Sequence, residues 1–168
     1  MILTTLAYVR DGSRTLMLQR HPDGERLGGD WNGLGGKFEP GESPERCLRR
    51  EVAEESGLTV ERAELKGIIT FPAFVDAGDV MTFVYVVTAW SGRLAGAGPE
   101  GTLHWVEHAD LTTLPLWEGD RVFLPWLERP GVFSARFEYD RGRFVRHEVV
   151  FYAGLSADSG GANDISFS

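Results

Sequence analysis

Three glutamates, Glu51, Glu54 and Glu55, stand three and four positions apart within the stretch PERCLRREVAEES, residues 44–56. On a helix that spacing puts them on one arc of about 100°. Arg50 lies four positions before Glu54 and reaches the same neighbourhood, and Glu42 sits in the preceding loop, where the chain can fold it back. Carboxylates crowded on one helix face repel one another unless a positive charge sits among them. A hard divalent cation meets that need, and Mg²⁺ takes carboxylates together with substrate phosphates. The plainer reading is a solvated helix laced with ion pairs, because Arg46, Arg49 and Arg50 are close by. For an arbitrary Glu-rich helix that plainer reading is the commoner one.

The spacing of the longer segment decides between the two. From Gly36 to Leu58 the chain reads GKFEPGESPERCLRREVAEESGL. It resembles the signature of the Nudix hydrolase family, G-x5-E-x7-R-E-U-x-E-E-x-G-U with U aliphatic. Gly36, Glu42, Arg50, Glu51, Val52, Glu54, Glu55, Gly57 and Leu58 fill every constrained position. A chance match is on the order of 10⁻¹⁰ per window at average residue frequencies, which overturns the solvated-helix reading. The resemblance implies an α/β Nudix fold, an α/β/α sandwich with a mixed β-sheet and a loop-helix-loop catalytic motif. It implies Glu51 and Glu55 as principal metal ligands, Glu54 assisting, the Gly36 carbonyl as a backbone ligand and Arg50 orienting the acidic cluster. Glu100 matches the place of an acidic residue outside the signature that completes the metal shell or acts as base. The implied catalytic set is Glu54, Arg50, Glu51 and Glu100. The implied cofactor is Mg²⁺, with Mn²⁺ as the alternative, and the implied outcome is attack at phosphorus with release of a nucleoside monophosphate.

Substrate choice in the family rests on residues outside the signature. The segments 31–37 (WNGLGGK), 116–120 (LWEGD) and 133–139 (FSARFEY) are similar to the branch that hydrolyses oxidised purine nucleoside triphosphates such as 8-oxo-dGTP. The likeness runs from about residue 2 to residue 152. It implies that Asn32 bonds the base edge, Trp117 packs beside the ring and Asp120 pairs with the purine's Watson–Crick side. An amide offers both donor and acceptor, a carboxyl group can read N–H donors, and an aromatic face stacks on a base. One departure is visible: Glu118-Gly119-Asp120 stands where the human member of the branch has two adjacent aspartates, so only the second is kept. Arg20 and Lys37 are candidate phosphate contacts. The competing functions are a Nudix hydrolase of a dinucleoside polyphosphate or nucleotide sugar, and a non-catalytic nucleotide-sensing module. Such a module would be expected to lose signature carboxylates, and none is lost.

Other chemistry fades on inspection. Gly36-Lys37 is followed by Phe38, not Ser or Thr, so the Gly-rich stretch is no phosphate-binding Walker loop. The four histidines lack metal-ligand spacing with Cys47, the single cysteine, which reads as a packing residue on the helix.

The elements that must position these groups are legible in outline. Residues 2–9 and 15–19 read as strands joined at Asp11-Gly12. The run from Gly28 to Gly36 is too rich in glycine for regular structure. Ser43-Pro44 starts a helix that ends at Ser56, with Gly57 as its stop. Strands are expected at 67–74, with a bend or edge at Pro72, at 80–90 and around 103–106, with a loop over 91–101 between the last two. Residues 117–128 have helical spacing, and 132–139 with 143–152 form a hairpin about Asp140-Arg141-Gly142. Strands interleaved with helices give one α/β domain over 1–153, followed by a Ser- and Gly-rich flexible tail over 154–168.

The bulk numbers agree: 168 residues with 42% hydrophobic and 25% charged make one ordinary globular domain. The net charge of −8 argues against binding a nucleic-acid polymer. It leaves room for a small nucleotide substrate if divalent cations sit between the two sets of negative charge. The start, MILTTLAYVRDG, is no signal peptide, and no apolar run is long enough to span a bilayer, so the expectation is a cytoplasmic protein without membrane contact.

Overall fold

β1 (Ile2–Asp11) and β2 (Arg14–Arg20) form the expected antiparallel hairpin, with Gly12 at a φ of 59° in the turn. The structure, a computed structural model, describes residues 1–21, 30–75, 78–98, 100–153 and 165–166. A two-residue strand β3 (Trp31–Asn32) leads to helix α1 (Pro44–Ser56), and β4 (Leu58–Val75) and β5 (Gly78–Gly92) follow. Then come β6 (Ala97–Gly98), β7 (Gly101–Glu107), a 3-10 turn (His108–Thr113), helix α2 (Glu118–Phe123) and a second 3-10 turn (Leu124–Glu128). The hairpin β8 (Val132–Asp140) and β9 (Arg143–Tyr152) and the short β10 (Ile165–Ser166) complete the chain.

The strands make one mixed sheet in the order β6-β7-β2-β1-β5-β4-β8-β9, with β3 added to β2 and β10 to β4. β1 with β5 and β4 with β8 are parallel; the other pairs are antiparallel. Side chains alternate across a strand, and both faces of the sheet are covered. Ala7, Val9, Leu16, Leu18, Tyr85 and Val87 pack with Leu48 and Val52 of α1. The intervening Tyr8, Met17, Val84 and Val86 pack on the opposite face with Phe123, Leu124 and Leu127. This is an α/β/α sandwich, and burial on both faces explains why 80–87 reads as a nearly unbroken apolar run. Among the described residues, no helix is long and apolar enough to cross a membrane.

Four expectations need correction. The glycine-rich stretch is partly regular: residues 34–38 run along β1, with Ala7 N–H donating to the Leu34 carbonyl, Leu34 N–H to Ala7, Thr5 N–H to Gly36 and Phe38 N–H to Leu3. Gly35 makes this possible. Its φ is +143°, and a Cβ there would lie 2.1 Å from the Thr5 carbonyl oxygen. Residues 22–29, including Gly28 and Gly29, lie outside the described residues. Second, β4 starts at Leu58, not near 67. Third, the expected loop 91–101 contains β6, paired to β7. Fourth, the helix over 117–128 breaks at Leu124 into a 3-10 turn, where Pro125 has no N–H to continue it. The bend at Pro72 is present as a register shift between Phe71 and Val75, with Ala73 at a φ of 47°. Of the tail, only Ile165–Ser166 is described, and it pairs with Arg62–Ala63 of β4.

Candidate active site

α1 is held at both ends as its sequence requires. Ser43 accepts the Arg46 N–H on its hydroxyl, and Gly57, at a φ of 75°, returns its N–H to the Ala53 carbonyl. That fixes the rotation of the helix, with Leu48 and Val52 buried and the acidic arc turned along the rim of the sheet. Arg50 gathers the arc. Its Nε and Nη2 donate to the two oxygens of Glu42 at 2.7 and 2.9 Å, and its Nη1 donates to Glu51 at 2.7 Å and Glu54 at 3.2 Å. Nη2 also donates to the Lys37 carbonyl at 3.0 Å, tying the helix to the glycine segment. The forked bond from Arg50 holds the Glu42 carboxyl down at about 2.

Glu51 and Glu55 face inward and behave differently. Burial raises the Glu51 carboxyl, with the Arg50 bond opposing. Burial pushes Glu55 up to about 8, against the pull of its bond from Gly35 N–H, and the nearby Glu100 and Glu51 charges add to the rise. Glu100 therefore belongs to the same electrostatic neighbourhood, although its direct partner is Arg20 at 3.4 Å. Glu54, its side chain 60% exposed, is far more open to solvent than Glu42 or Glu51. Cys47 is fully buried beside Thr5, and burial raises its thiol.

A cleft of about 580 Å³ runs from Gly36 and Lys37 across Thr4 and Thr82 to Trp117 and Asp120. Arg20 and Asn32 also line it, so the structure brings together every residue that sequence similarity marked for substrate. The Asn32 amide oxygen accepts the Gly33 N–H at 2.9 Å, which leaves its NH₂ donors and one oxygen lone pair for a ligand. Asp120 is buried, and that burial raises its carboxyl to about 7. Sequence reasoning marked Tyr139 only within the segment 133–139 and missed Phe71 and Phe74. Phe71, Phe74 and Tyr139 line the same cleft, and Trp117 meets Phe74 at 5.4 Å and Tyr139 edge-on at 5.7 Å. The Tyr139 hydroxyl accepts the Gly119 N–H at 2.9 Å, and a Cβ on Gly119 would lie 2.4 Å from that oxygen. Glycine between Glu118 and Asp120 thus makes room for Tyr139.

A profile of the NUDIX domain matches residues 2–127. The chain belongs to the Nudix family. It is 32% identical over 141 residues to the uncharacterised Nudix hydrolase YvcI of Bacillus subtilis, covering 80% of this chain and 85% of that one. It is 29% identical over 150 residues to a zebrafish (Danio rerio) protein named oxidized purine nucleoside triphosphate hydrolase, covering 89% and 90%. The crystal structure of a MutT protein from Bacillus halodurans superposes with a TM-score of 0.79 at 28% identity, covering 89% of this chain and 97% of that one. The chain is a Nudix pyrophosphohydrolase.

The Nudix helix has the donor chemistry for a hard divalent cation. Its acidic arc offers the carboxylate oxygens of Glu51, Glu54 and Glu55, and the buried Glu55 Oε1 has no hydrogen-bond partner. Gly36 has no side chain where a Cβ would lie 2.4 Å from Glu51 Oε1, so its backbone and that carboxylate are immediate neighbours. The Gly36 carbonyl accepts the Thr5 N–H at 2.9 Å and, more weakly, the Cys47 thiol at 3.7 Å. Among the described residues, no three acidic, His or Cys side chains are gathered into a ready cage. Arg50 and the Gly35 N–H hold several of the oxygens instead.

Proposed function

We propose that the chain is a divalent-metal-dependent nucleoside triphosphate diphosphatase that sanitises oxidised purine nucleotides, with 8-oxo-dGTP as the leading substrate. The products are the nucleoside monophosphate and pyrophosphate. The observation that carries this reading is one continuous cleft with Asn32, Trp117 and Asp120 at one end and Gly36 at the other, beside the carboxylate helix. The name of the zebrafish relative supports the same substrate class.

In this reading Glu51 and Glu55, assisted by Glu54, the Gly36 carbonyl and Glu100, hold Mg²⁺, or Mn²⁺ in its place. A cation held there would supply polarisation of a phosphoryl oxygen and a lowered pKa for the attacking water. Arg50 keeps Glu51 and Glu54 aimed, and Glu54 or Glu100 takes the water's proton. Arg20 and Lys37 contact the phosphates. At the other end the base stacks against Trp117, Asn32 donates from its amide, and the Asp120 carboxyl, ionising near 7, can present an O–H donor as well as an acceptor oxygen.

The test is a steady-state comparison of 8-oxo-dGTP with dGTP, with Mg²⁺ and with chelator, and with product analysis. A higher kcat/KM for 8-oxo-dGTP and metal-dependent release of pyrophosphate are expected. Equal or lower efficiency on 8-oxo-dGTP would end the sanitising role while leaving the hydrolase intact.

A further inference from the structure

Helix α2 begins without a cap of its own. Its N-cap residue is Trp117, whose side chain makes no bond to the first-turn N–H groups and has no acceptor to offer them. Asp120 N–H turns back to the Trp117 carbonyl at 3.1 Å. Gly119 N–H, too early in the helix for an internal partner, donates to the Tyr139 hydroxyl on β8 at 2.9 Å. The neighbouring Glu118 reaches β9, where its Oε2 accepts the Phe144 N–H at 3.1 Å. Tyr139 and Phe144 face each other across the β8–β9 ladder, beside its register shift, with rings 5.6 Å apart. Two successive residues of α2 are thus tied to one cross-strand pair.

The tie leaves little slack. A Cβ on Gly119 would lie 2.8 Å from Phe137 Cδ2 as well as against the Tyr139 hydroxyl, so the α2 backbone sits directly on β8. Trp117 stands two positions before this contact and Asp120 one position after it, and both line the substrate cleft. Trp117 also packs edge-on against the Tyr139 ring. The strands that make the contact, Val132–Asp140 and Arg143–Tyr152, lie beyond residues 2–127, the part of the chain that the NUDIX profile matches.

We infer that Tyr139 and Glu118 are positioning residues that fix Trp117 and Asp120 for the base of the nucleotide, so that the β8–β9 hairpin governs base recognition. This rests on the proposed placement of the base at Trp117 and Asp120. The Tyr139 hydroxyl acts through the α2 backbone, so its loss should weaken binding of the base and leave the phosphoryl chemistry at the carboxylate helix alone. Tyr139→Phe keeps the ring and removes the acceptor. In steady-state kinetics on 8-oxo-dGTP and dGTP it should raise KM about threefold to tenfold while kcat holds. Glu118→Ala should raise KM about twofold to threefold, and Glu118→Gln, which still offers an acceptor to the Phe144 N–H, should restore it. Amide hydrogen exchange at Gly119 should quicken about tenfold in Tyr139→Phe. A purely structural role would lower Tm without moving KM at temperatures well below the transition. If Tyr139→Phe does not fold, Glu118→Ala and Glu118→Gln carry the same test. Trp117→Ala separates the inference from the reading beneath it. Should Trp117→Ala leave KM for both nucleotides unmoved, the base does not lie there and both fall together. A KM raised by Trp117→Ala but unmoved by Tyr139→Phe and Glu118→Ala would overturn the inference alone. So would unchanged exchange at Gly119, or a Glu118→Gln variant as impaired as Glu118→Ala.

Discussion

Burial holds the Asp120 carboxyl near 7, and the Arg121 guanidinium opposes the rise only in part. The sign of its effect on stability follows. In the unfolded chain an aspartate ionises near its ordinary value of about 4. Between that pH and about 7 the unfolded state has therefore lost the proton while the folded state keeps it. Stability falls as pH rises through that window, by on the order of 2–4 kcal/mol from this one group. Asp120→Asn should flatten that part of the curve and raise stability above pH 7, while weakening the preference for an oxidised base. Urea midpoints of both proteins across pH 3 to 8 (about one unit either side of the window) check the first claim. Parallel curves would show that Asp120 is not the group titrating. Glu55 slopes the same way, so only the difference between the proteins isolates Asp120. That Asn32 shares a cleft with Trp117 and Asp120 was legible only through family resemblance, because no spacing relates Asn32 to residues 85 and more positions away. Phe74 was not singled out, and Tyr139 was marked only as the end of the segment 133–139; they join the site through ring packing against Trp117, and sequence distance carries no trace of that.

Elements show where local signals suffice and where they do not. α1 was readable to the residue because Ser43, Pro44 and Gly57 each answer a backbone need at a helix end. The β8–β9 hairpin was readable because Arg141 and Gly142 take positive φ at the turn. The stretch 58–66 was missed because Glu61, Arg62 and Glu64 are exposed and a register shift near Arg62 breaks the alternation. The segment 34–38 was missed because glycine argues against a strand everywhere except where two backbones must nearly touch. That exception makes a prediction. Gly35→Ala should cost about 3 kcal/mol or more, since the new methyl meets the Thr5 carbonyl and the segment must leave β1. Gly12→Ala, also at positive φ but with open space around it, should cost only about 1 kcal/mol. Chemical denaturation ranks the two. Equal losses would mean that strain in φ, not contact with β1, is what Gly35 relieves. Gly35→Ala should also lower turnover, because the Gly35 N–H is the partner of Glu55.

At the scale of the whole molecule, net charge and active site pull in the same direction. The chain carries −8, and Arg50 of α1 gathers Glu51, Glu54 and the loop residue Glu42, with Glu55 beside them unwilling to ionise in its buried place. Any salt relieves general repulsion by screening, within a Debye length of about 8–10 Å near physiological ionic strength. Only a cation held by those oxygens adds binding free energy to the folded state. A site filled at ten times its Kd contributes about 1.4 kcal/mol, or a rise in Tm of about 3–6 °C for a domain of this size. The comparison that separates the two effects is MgCl₂ against NaCl at matched ionic strength. Magnesium is expected to raise Tm by several degrees more than sodium, and Glu51→Gln or Glu55→Gln should erase the excess. Glu55→Gln keeps an acceptor for the Gly35 N–H and removes a carboxyl that folding must protonate at neutral pH, so without metal it should melt above the parent there while losing turnover by about a hundredfold or more. A stabilised, inactive variant without a magnesium response would tie the cost of the buried carboxylate to its purpose. Equal shifts from the two salts, unchanged by either substitution, would remove the metal from α1.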